Sequence, residues 1–543
     1  MILKKQQKIN TEILVIGGGG AGLRAAIAGA QKGTRVLLVS QSPVGYGNNS
    51  AIAAGKMCVV IDPADSPQAY LKDVLSAGCF INNQRLVEIL ADNSVHQVRD
   101  LEQLGVSFVR KNGDLEVGSV PGHSYSRCVS TDNKGLSYTR PLRAKAEALG
   151  VSFLEDLFIT KLVRGDEIKG AIGIDSKGVL FIIEAKAVIL ATGGLGQLYS
   201  NTSNAVRVSG DGYALAYEIG AALQDMEMVQ FNPTAMSEGA TKPIVLYDFG
   251  LAQLGGIIRN CEGEDVLRRY GLDDPAIMTR DRISRAMMTE LVEGRGIDGA
   301  LSLDLSSAAG DFEKIEKLLP KRAHKYDLGN IPVAPVAHFQ MGGIRIDEAN
   351  KTGIAGFFAV GEVTGGVHGA NRLGGNSLAE IFVFGERAGI AAASEARKEP
   401  TESIGGKEVN AERQRLQSLL CHTGDCRIDE MMNQLKSTMW YKAGIIRNQP
   451  ALNEALTEIK RLRQNLNKVR VIGVKDLVEA VRLRNMVTVS EMVVRSALLR
   501  TESRGAHFLT DYPKENHEQG QRNVVLHKEH ERMVVTHGSN PSK

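Results

Sequence analysis

A strand, a glycine turn, a helix and a second strand open the chain, and no other stretch restricts the possible folds so strongly. Glu12–Ile16 (EILVI) is a short apolar run of the buried-strand type. It leads directly into Gly17-Gly18-Gly19-Gly20-Ala21-Gly22, then into the alanine-rich, helix-like stretch Ala21–Gln31 and a second apolar run, Arg35–Ser40. Gly17, Gly19 and Gly22 therefore carry the GxGxxG spacing between a strand and a helix, the context in which that spacing has meaning. Gly17 makes the turn, Gly19 admits a pyrophosphate, and Gly22 lets the helix pack on the strand. The helix N-terminus then faces the phosphates. The pattern predicts a doubly wound α/β sheet carrying a dinucleotide. Ser40 and Gln41 stand where an acid ordinarily ends the second strand and holds a ribose. Ser40 keeps a hydroxyl for that contact, so the pyrophosphate end is the better defined.

Further turns repeat the theme. Gly45–Gly55 (GYGNNSAIAAG) is small and polar, and sets Asn49, Ser50 and Gly55 against a cofactor. The apolar run Ala187–Ala191 ends in Thr192-Gly193-Gly194, and Asp211 follows a glycine where it can accept hydrogen bonds from a polyol. Phe357–Val360 reads as a strand running into Gly361-Glu362. Asn376, Ser377 and Leu378 open a long helix to Ala396, whose positive end faces the cofactor. Between these turns lie His338, His368 and Arg372. An arginine fork binds a carboxylate through two hydrogen bonds, so Val336–Leu378 suits an anionic substrate held against a nucleotide cofactor.

With 543 residues the chain is too long for one compact core. Strands at Val151–Leu154, Ile159–Val163, Ile168–Asp175 and Val179–Ala185 read as a meander folded onto the first domain. At Phe231-Asn232-Pro233-Thr234 the pattern breaks, and a more charged segment with a helix at Asp281–Glu293 follows. After a linker at Glu399–Lys407 the periodicity is helical over Val409–Leu420, Arg427–Trp440, Pro450–Leu466 and Val474–Leu499. The expected domains are 1–235 with 333–400, an inserted domain at 236–332, a helical domain at 405–510, and an extended tail at 511–543. A net charge of +3 with mixed signs gives no footprint for nucleic acid. Six scattered cysteines without a CxxC pair predict neither a disulfide framework nor a bound iron–sulfur cluster, and no metal-ligand cluster is evident. No apolar run reaches the ~20 residues of a membrane span, and the N-terminus lacks a signal-type apolar region. A cytoplasmic protein without direct membrane insertion is expected, peripheral to a membrane only through partners.

VIGGGGAG, ATGG, SGDGYALA, QDMEMVQFNPT, TRDRISRAM, AHFQMGG, VGEVTGGVHGANRLGGNSL and SALLRTESRGAHFLTDYP occur here in order. Through them the chain resembles the flavoprotein subunits of fumarate reductase and succinate dehydrogenase, a family that includes L-aspartate oxidase. The resemblance implies a Rossmann-like FAD domain, an inserted α+β capping domain and a C-terminal helical bundle. It places the FAD on Gly17, Gly19, Gly22, Thr192, Gly193, Asp211, Glu362, Asn376, Ser377 and Leu378. Arg280 matches the family's proton donor, and His338 and Arg372 match the pair that grips one substrate carboxylate. Catalysis then rests on Arg280, His338 and Arg372, with His368, Asn232 and Phe249 completing the substrate site.

Four departures bear on function. The family triplet holding a flavin-linking histidine aligns with Asn48-Asn49-Ser50, which implies noncovalent FAD. The histidine of the HPT turn is Asn232. A Thr-Glu pair and a relay arginine align with Asp248-Phe249 and Ala252. Finally, Val120-Pro121 precede Gly122-His123-Ser124 where L-aspartate oxidase carries a glutamate. One carboxylate clamp is thus kept, while the far end of the site is rebuilt, and an enoate with a neutral or apolar far end would suit Phe249. The leading expectation is an FAD-dependent oxidoreductase acting on C=C or CH–CH bonds of a fumarate- or succinate-like carboxylate, trading electrons with an iron–sulfur partner. The alternatives are a stand-alone oxidase like L-aspartate oxidase, and an electron relay with a decayed substrate site.

Overall fold

The computed structural model describes residues 3, 5–236, 243–246, 255–272, 274, 278–308, 310, 315, 319–398, 402–421 and 424–539. Gln6–Ile16 is the centre of a parallel sheet, flanked by Val36–Val39 on one side and Leu180–Leu190 on the other. Ser152–Leu154 extends the sheet beyond Val36–Val39, and Phe357–Ala359 pairs with its far strand. Four of these strands end in the turns singled out above, so their carboxyl ends bring Gly17, Ser40, Thr192 and Glu362 to one edge. This is where ligands bind in a doubly wound sheet. Helices Gly20–Gln31 and Asn376–Glu395 cross over one face so closely that a Cβ at Gly389 would stand 2.2 Å from the Ala25 carbonyl oxygen.

Leu180–Leu190 is one unbroken strand, not the two separate runs expected. Its whole length runs parallel to Gln6–Ile16, while on its other side the first half pairs antiparallel with Ile168–Asp175, which pairs with Leu157–Arg164, and the second half pairs parallel with Phe357–Ala359. Glu184 and Lys186 interrupt the apolar pattern at the junction. Glu184 is held there by an ion pair with Lys8 at 2.9 Å and by the Ile404 backbone N–H at 3.0 Å.

A second sheet is antiparallel, in the order Ile244–Val245, Val229–Met236, Ile331–Gln340, Leu301–Asp304, Ile257–Arg259. With helix Arg280–Val292 it builds its own core, including Met236, Leu246, Ile283, Met287, Leu303 and Ile331. This is the cap. Phe231–Thr234, expected to break the pattern, lies inside the buried Val229–Met236 strand. The pairing register shifts between Asn232 and Ala235, which accommodates Pro233, a residue with no N–H for the ladder.

Helices Gly406–Leu420, Ile428–Lys442, Gln449–Asn465 and Gly473–Leu499 form the C-terminal bundle. The tail differs from the extended arm expected. Arg522–Glu529 and Arg532–Ser539 form a hairpin, whose first strand adds to Leu223–Gln224 and thence to Gly343–Ile344. Among the described residues no helix is long and apolar enough to cross a membrane.

Candidate active site

A cavity of about 720 Å³ runs from the glycine turn to the cap. Gly17 and Gly19 line its first part, with Ser40, Asn49, Ser50 and Gly55 opposite. Gly17 has φ +123°, and a Cβ there would lie 2.1 Å from the Ala191 carbonyl oxygen. Gly22 is not in the lining. A Cβ on it would meet the Gly17 carbonyl oxygen at 1.9 Å, so it is the packing glycine beneath the turn. The Ser50 hydroxyl accepts a hydrogen bond from the Gly20 N–H at 3.1 Å and ties the Asn49–Ile52 helix to the turn.

Thr192, Gly193, Asp211, Glu362, Ser377 and Leu378 continue the lining. The Thr192 hydroxyl is buried without a partner among the described residues. Asp211 accepts from the Ser209 hydroxyl at 2.8 Å and from the Asn485 amide at 2.7 Å, so the C-terminal bundle steadies it. Arg482 of the same helix donates to Gln41 at 2.6 Å, bracing the segment after Ser40. Asn49 donates to Asn204 at 2.8 Å and to Glu362 at 3.3 Å, and accepts from the Ala205 N–H at 3.0 Å. A side-chain-free glycine cradle at a helix N-terminus and an orphaned hydroxyl beyond it fit the pyrophosphate and polar groups of FAD.

The cap end carries the charge. Arg372, His338, Phe339 and Asn232 come from the body and its connecting strands, and Arg280 opens the Arg280–Val292 cap helix. Gln230, fully buried, joins the two arginines. Its carbonyl oxygen accepts from Arg372 Nη2 at 3.0 Å and from Arg280 Nη1 at 3.4 Å. Its amide donates to Asn371 Oδ1 and to the Arg372 carbonyl, each at 2.8 Å. Asn371 in turn donates to Asp281 at 2.8 Å, linking the cap helix to the Arg372 loop. The Arg372 guanidinium lies 4.5 Å over the Phe339 ring, and its Nε is buried without a partner among the described residues. His338 Nδ1 is 2.9 Å from the Ser203 hydroxyl, leaving Nε2 as its other polar atom.

Besides Gly22, two predicted residues lie off the cavity wall. His368 does not line the cavity. It is buried behind Phe339, with Nε2 3.0 Å from Glu380, because its glycine-rich turn folds inward to pack on the Asn376–Glu395 helix. Asn376 is also buried away from the lining, accepting from the Tyr70 hydroxyl at 2.9 Å. Phe249 lies outside the described residues. Gln230 and Arg322 were missed. Arg322 reaches the cavity from the cap segment Lys321–Lys325, beside Ile244 and Leu246. Its run, Lys-Arg-Ala-His-Lys, reads in sequence as a solvated face.

The electrostatics favour an anion. Burial lowers the Arg372 pKa to about 9, and the neighbouring Arg280 charge adds to this. Burial, then Arg280 and Arg372, hold His338 well below the usual imidazole range, so it is neutral at pH 7. Burial raises Glu362 to about 7, against hydrogen bonds from the Gln340 N–H and Asn49. The folded apo-protein thus keeps a proton on Glu362 that the unfolded chain loses near 4.5. Stability from this group falls as pH rises through that window, and stays lost above it. Glu362→Gln should flatten this part of the melting-temperature profile of apo-protein between about pH 5 and 7.5, as read by thermal unfolding. An unchanged slope would remove Glu362 as its source.

The family model for the FAD binding domain matches residues 12–378, and that for the fumarate reductase flavoprotein C-terminus matches residues 432–538. An uncharacterized FAD-dependent oxidoreductase of Methanocaldococcus jannaschii is 39% identical over 532 residues, 95% of this chain and 96% of that one. A fumarate reductase (CoM/CoB) subunit of Methanothermobacter marburgensis is 37% identical, covering 96% of this chain and 98% of that one. The flavoprotein of E. coli quinol fumarate reductase, solved as a mutant, superposes with a TM-score of 0.91 at 28% identity, covering 99% of this chain and 97% of that one. Glycine cradle, arginine pair and cap therefore sit in a sequence and a fold shared along the whole length, and the chain belongs to the fumarate reductase flavoprotein family of FAD-dependent oxidoreductases acting on CH–CH groups.

Proposed function

We propose that the chain interconverts the C=C and CH–CH forms of a fumarate- or succinate-like carboxylate, exchanging electrons with an iron–sulfur partner. The observation that carries this reading is the buried Arg372. Its positive charge is opposed by burial and by Arg280, and its Nε has no partner among the described residues. A carboxylate satisfies both needs. FAD, when bound, supplies the two-electron hydride chemistry. Arg372 and neutral His338 hold one carboxylate and stabilise the charge that develops on it as the double bond is polarised. Arg280 presents a proton to the adjacent carbon. Sharing the Gln230 carbonyl with Arg372 orients its guanidinium.

FAD is held noncovalently on this reading, because Asn49 occupies the linking position and spends its amide on Asn204 and Glu362. Acid precipitation should leave the flavin in the supernatant. The iron–sulfur partner is supported by the absence of any cluster motif in the sequence and by a relative that is itself one part of a larger enzyme.

At the far end the described wall is Asn232, Ile244, Leu246 and Arg322. Arg322 supplies a cation for a second carboxylate, whereas Ile244 and Leu246 favour an apolar group. Anaerobic reduction of the flavin with dithionite followed by fumarate separates the two. Fast re-oxidation by fumarate and slow re-oxidation by a monocarboxylate such as crotonate is the expected result. Failure of every enoate with a flavin that remains reducible would sink the assignment. Arg322→Ala should raise KM for fumarate by roughly ten- to a hundredfold, the loss of one charged hydrogen bond at about 1.5–3 kcal/mol. Crotonate kinetics should be unaffected, and an equal loss on both substrates would assign Arg322 to the fold of the cap.

A further inference from the structure

Behind the Arg372 loop, two cysteines face each other across a short antiparallel ladder. Met57–Cys58 pairs with Cys128–Val129, and Cys58 is the direct cross-strand partner of Cys128. The backbone places them in a non-hydrogen-bonded pair. The Cys58 N–H goes to the Gly375 carbonyl at 3.3 Å. The Cys128 N–H and carbonyl both bond to Gly118, and the flanking bond runs from Val59 N–H to the Arg127 carbonyl at 2.9 Å. Residues so paired have Cα atoms about 4.5 Å apart with their side chains on one face, inside the roughly 4.4–6.8 Å range that a disulfide spans. Cysteines directly opposed in this register can be bridged by rotating side chains, without moving strands. Both are free thiols in this structure, Cys58 fully buried and Cys128 nearly so.

The pair is mechanically tied to the substrate clamp. Cys58 Sγ donates to the Gly374 carbonyl at 3.2 Å, and a Cβ on Gly375 would stand 2.4 Å from the same sulfur. Gly374 and Gly375 line the cavity and follow Arg372 by two and three residues. His123 also approaches the Gly374 carbonyl, at 3.1 Å. Its loop is anchored from below, since Ser124 bonds Asp73 at 2.6 Å and buried Arg127 pairs with Asp65 at 2.7 Å and Asp73 at 3.0 Å. The carbonyl thus has one donor that can be removed by oxidation, Cys58, and a second contact that cannot.

We propose that Cys58 and Cys128 form a reversible disulfide under peroxide, a redox modification site that retunes the Arg372 loop. Cys128 is the group that reacts first. Burial pushes the Cys58 thiol well above its ordinary range, and the thiolate is the nucleophile. The Cys128 sulfur attacks hydrogen peroxide, becomes a sulfenic acid and expels one oxygen as water. Cys58 then attacks that sulfur, the S–O bond breaks and a second water leaves. Two thiols and one peroxide give one disulfide and two waters. Once bridged, Cys58 has no S–H to donate, the Gly374 carbonyl keeps only the His123 contact, and Gly375 loses the sulfur it packs on. The expected consequence is weaker substrate binding at Arg372.

Purified holoprotein is treated with hydrogen peroxide, denatured in an alkylating agent and mapped by mass spectrometry. The expected result is a cross-linked peptide joining Cys58 to Cys128, lighter by two hydrogens than the reduced pair and reversed by dithiothreitol. KM for fumarate, used as the probe, should rise several-fold with a smaller change in kcat. Cys128→Ala should keep the untreated kinetics and lose both responses, and Cys128→Ser serves as a second variant should alanine fold poorly. Full alkylation of both thiols after peroxide would overturn the proposal, as would oxidation of either sulfur without a cross-link, or the same KM change in treated Cys128→Ala. The cross-link readout holds whether or not fumarate is the substrate.

Discussion

Arg372→Met should lower kcat/KM for the carboxylate substrate by roughly three orders of magnitude while leaving FAD bound. Removing one partner of a desolvated charge pair costs about 2–5 kcal/mol, and each 1.36 kcal/mol is about tenfold in rate. Arg372 touches none of the groups on the glycine turn, so flavin content should be preserved. Its interactions are with Gln230, Ser377, its own loop and the Phe339 ring. Arg372→Lys should rescue little, because an ammonium cannot reproduce a planar fork that reaches both Gln230 and a carboxylate. The substitution should also leave the melting temperature unchanged or raise it. Burial and Arg280 both oppose the Arg372 charge in the free protein, so this is a residue whose placement trades stability for function. A stability loss matching the activity loss would instead make Arg372 a structural ion. Ordinary kcat/KM in the variant would move the carboxylate site elsewhere.

What could be read from residues alone was what depends on neighbours in sequence. The glycine turn, its strand and its helix are local, and the structure places Gly17, Ser40, Thr192 and Glu362 along one cavity, as their separate strand-end turns imply, with Asp211 joining them from the start of a helix. His338 and Arg372 also converge there. The misreadings have physical causes. His368 sits in a glycine-rich turn of the same composition as its neighbour, and only packing shows that it faces Glu380. Pro233 looked like a break because the register shift that admits it depends on the partner strand. The tail read as an extended arm because a partner of its first strand, Leu223–Gln224, lies far away in sequence. Gln230 was passed over since a glutamine inside an apolar strand has no local signature. Its role exists only because one strand, one loop and one cap helix meet at it. One signal was available: in QFNPT a glutamine two residues before Asn232 alternates onto the same strand face.

Arg500→Met should be the most destabilising single change outside the cavity, by about 3–5 kcal/mol, the usual cost of removing one partner from a buried ion cluster. Arg500 is fully buried and holds three carboxylates: Glu227 at 2.6 Å, Glu502 at 3.0 Å and Asp225 at 3.1 Å. Those acids come from different parts of the chain. Asp225 and Glu227 lie between the body and the cap strand Val229–Met236, Glu502 follows the long C-terminal helix, and Asp225 also accepts from the tail residue Asn523 at 2.6 Å. One guanidinium therefore joins body, bundle and hairpin. Asp225 is already raised to about 7, by burial first and then by Glu227, with Arg500 working against the rise. Without Arg500 its pKa should climb further, and protonation would relieve the uncompensated charge. The deficit should accordingly shrink as pH falls through 7 and be largest above it, the sign required when the folded variant holds a proton the unfolded chain releases. The check is the midpoint of thermal unfolding at about pH 6 and pH 8 for both proteins, since a chain with several domains does not give one two-state free energy. None of the four charged residues lines the cavity, so variant protein that remains folded should keep its FAD and its KM. Equal midpoints at both pH values would mean that packing alone joins the three parts, with the ion cluster incidental to it.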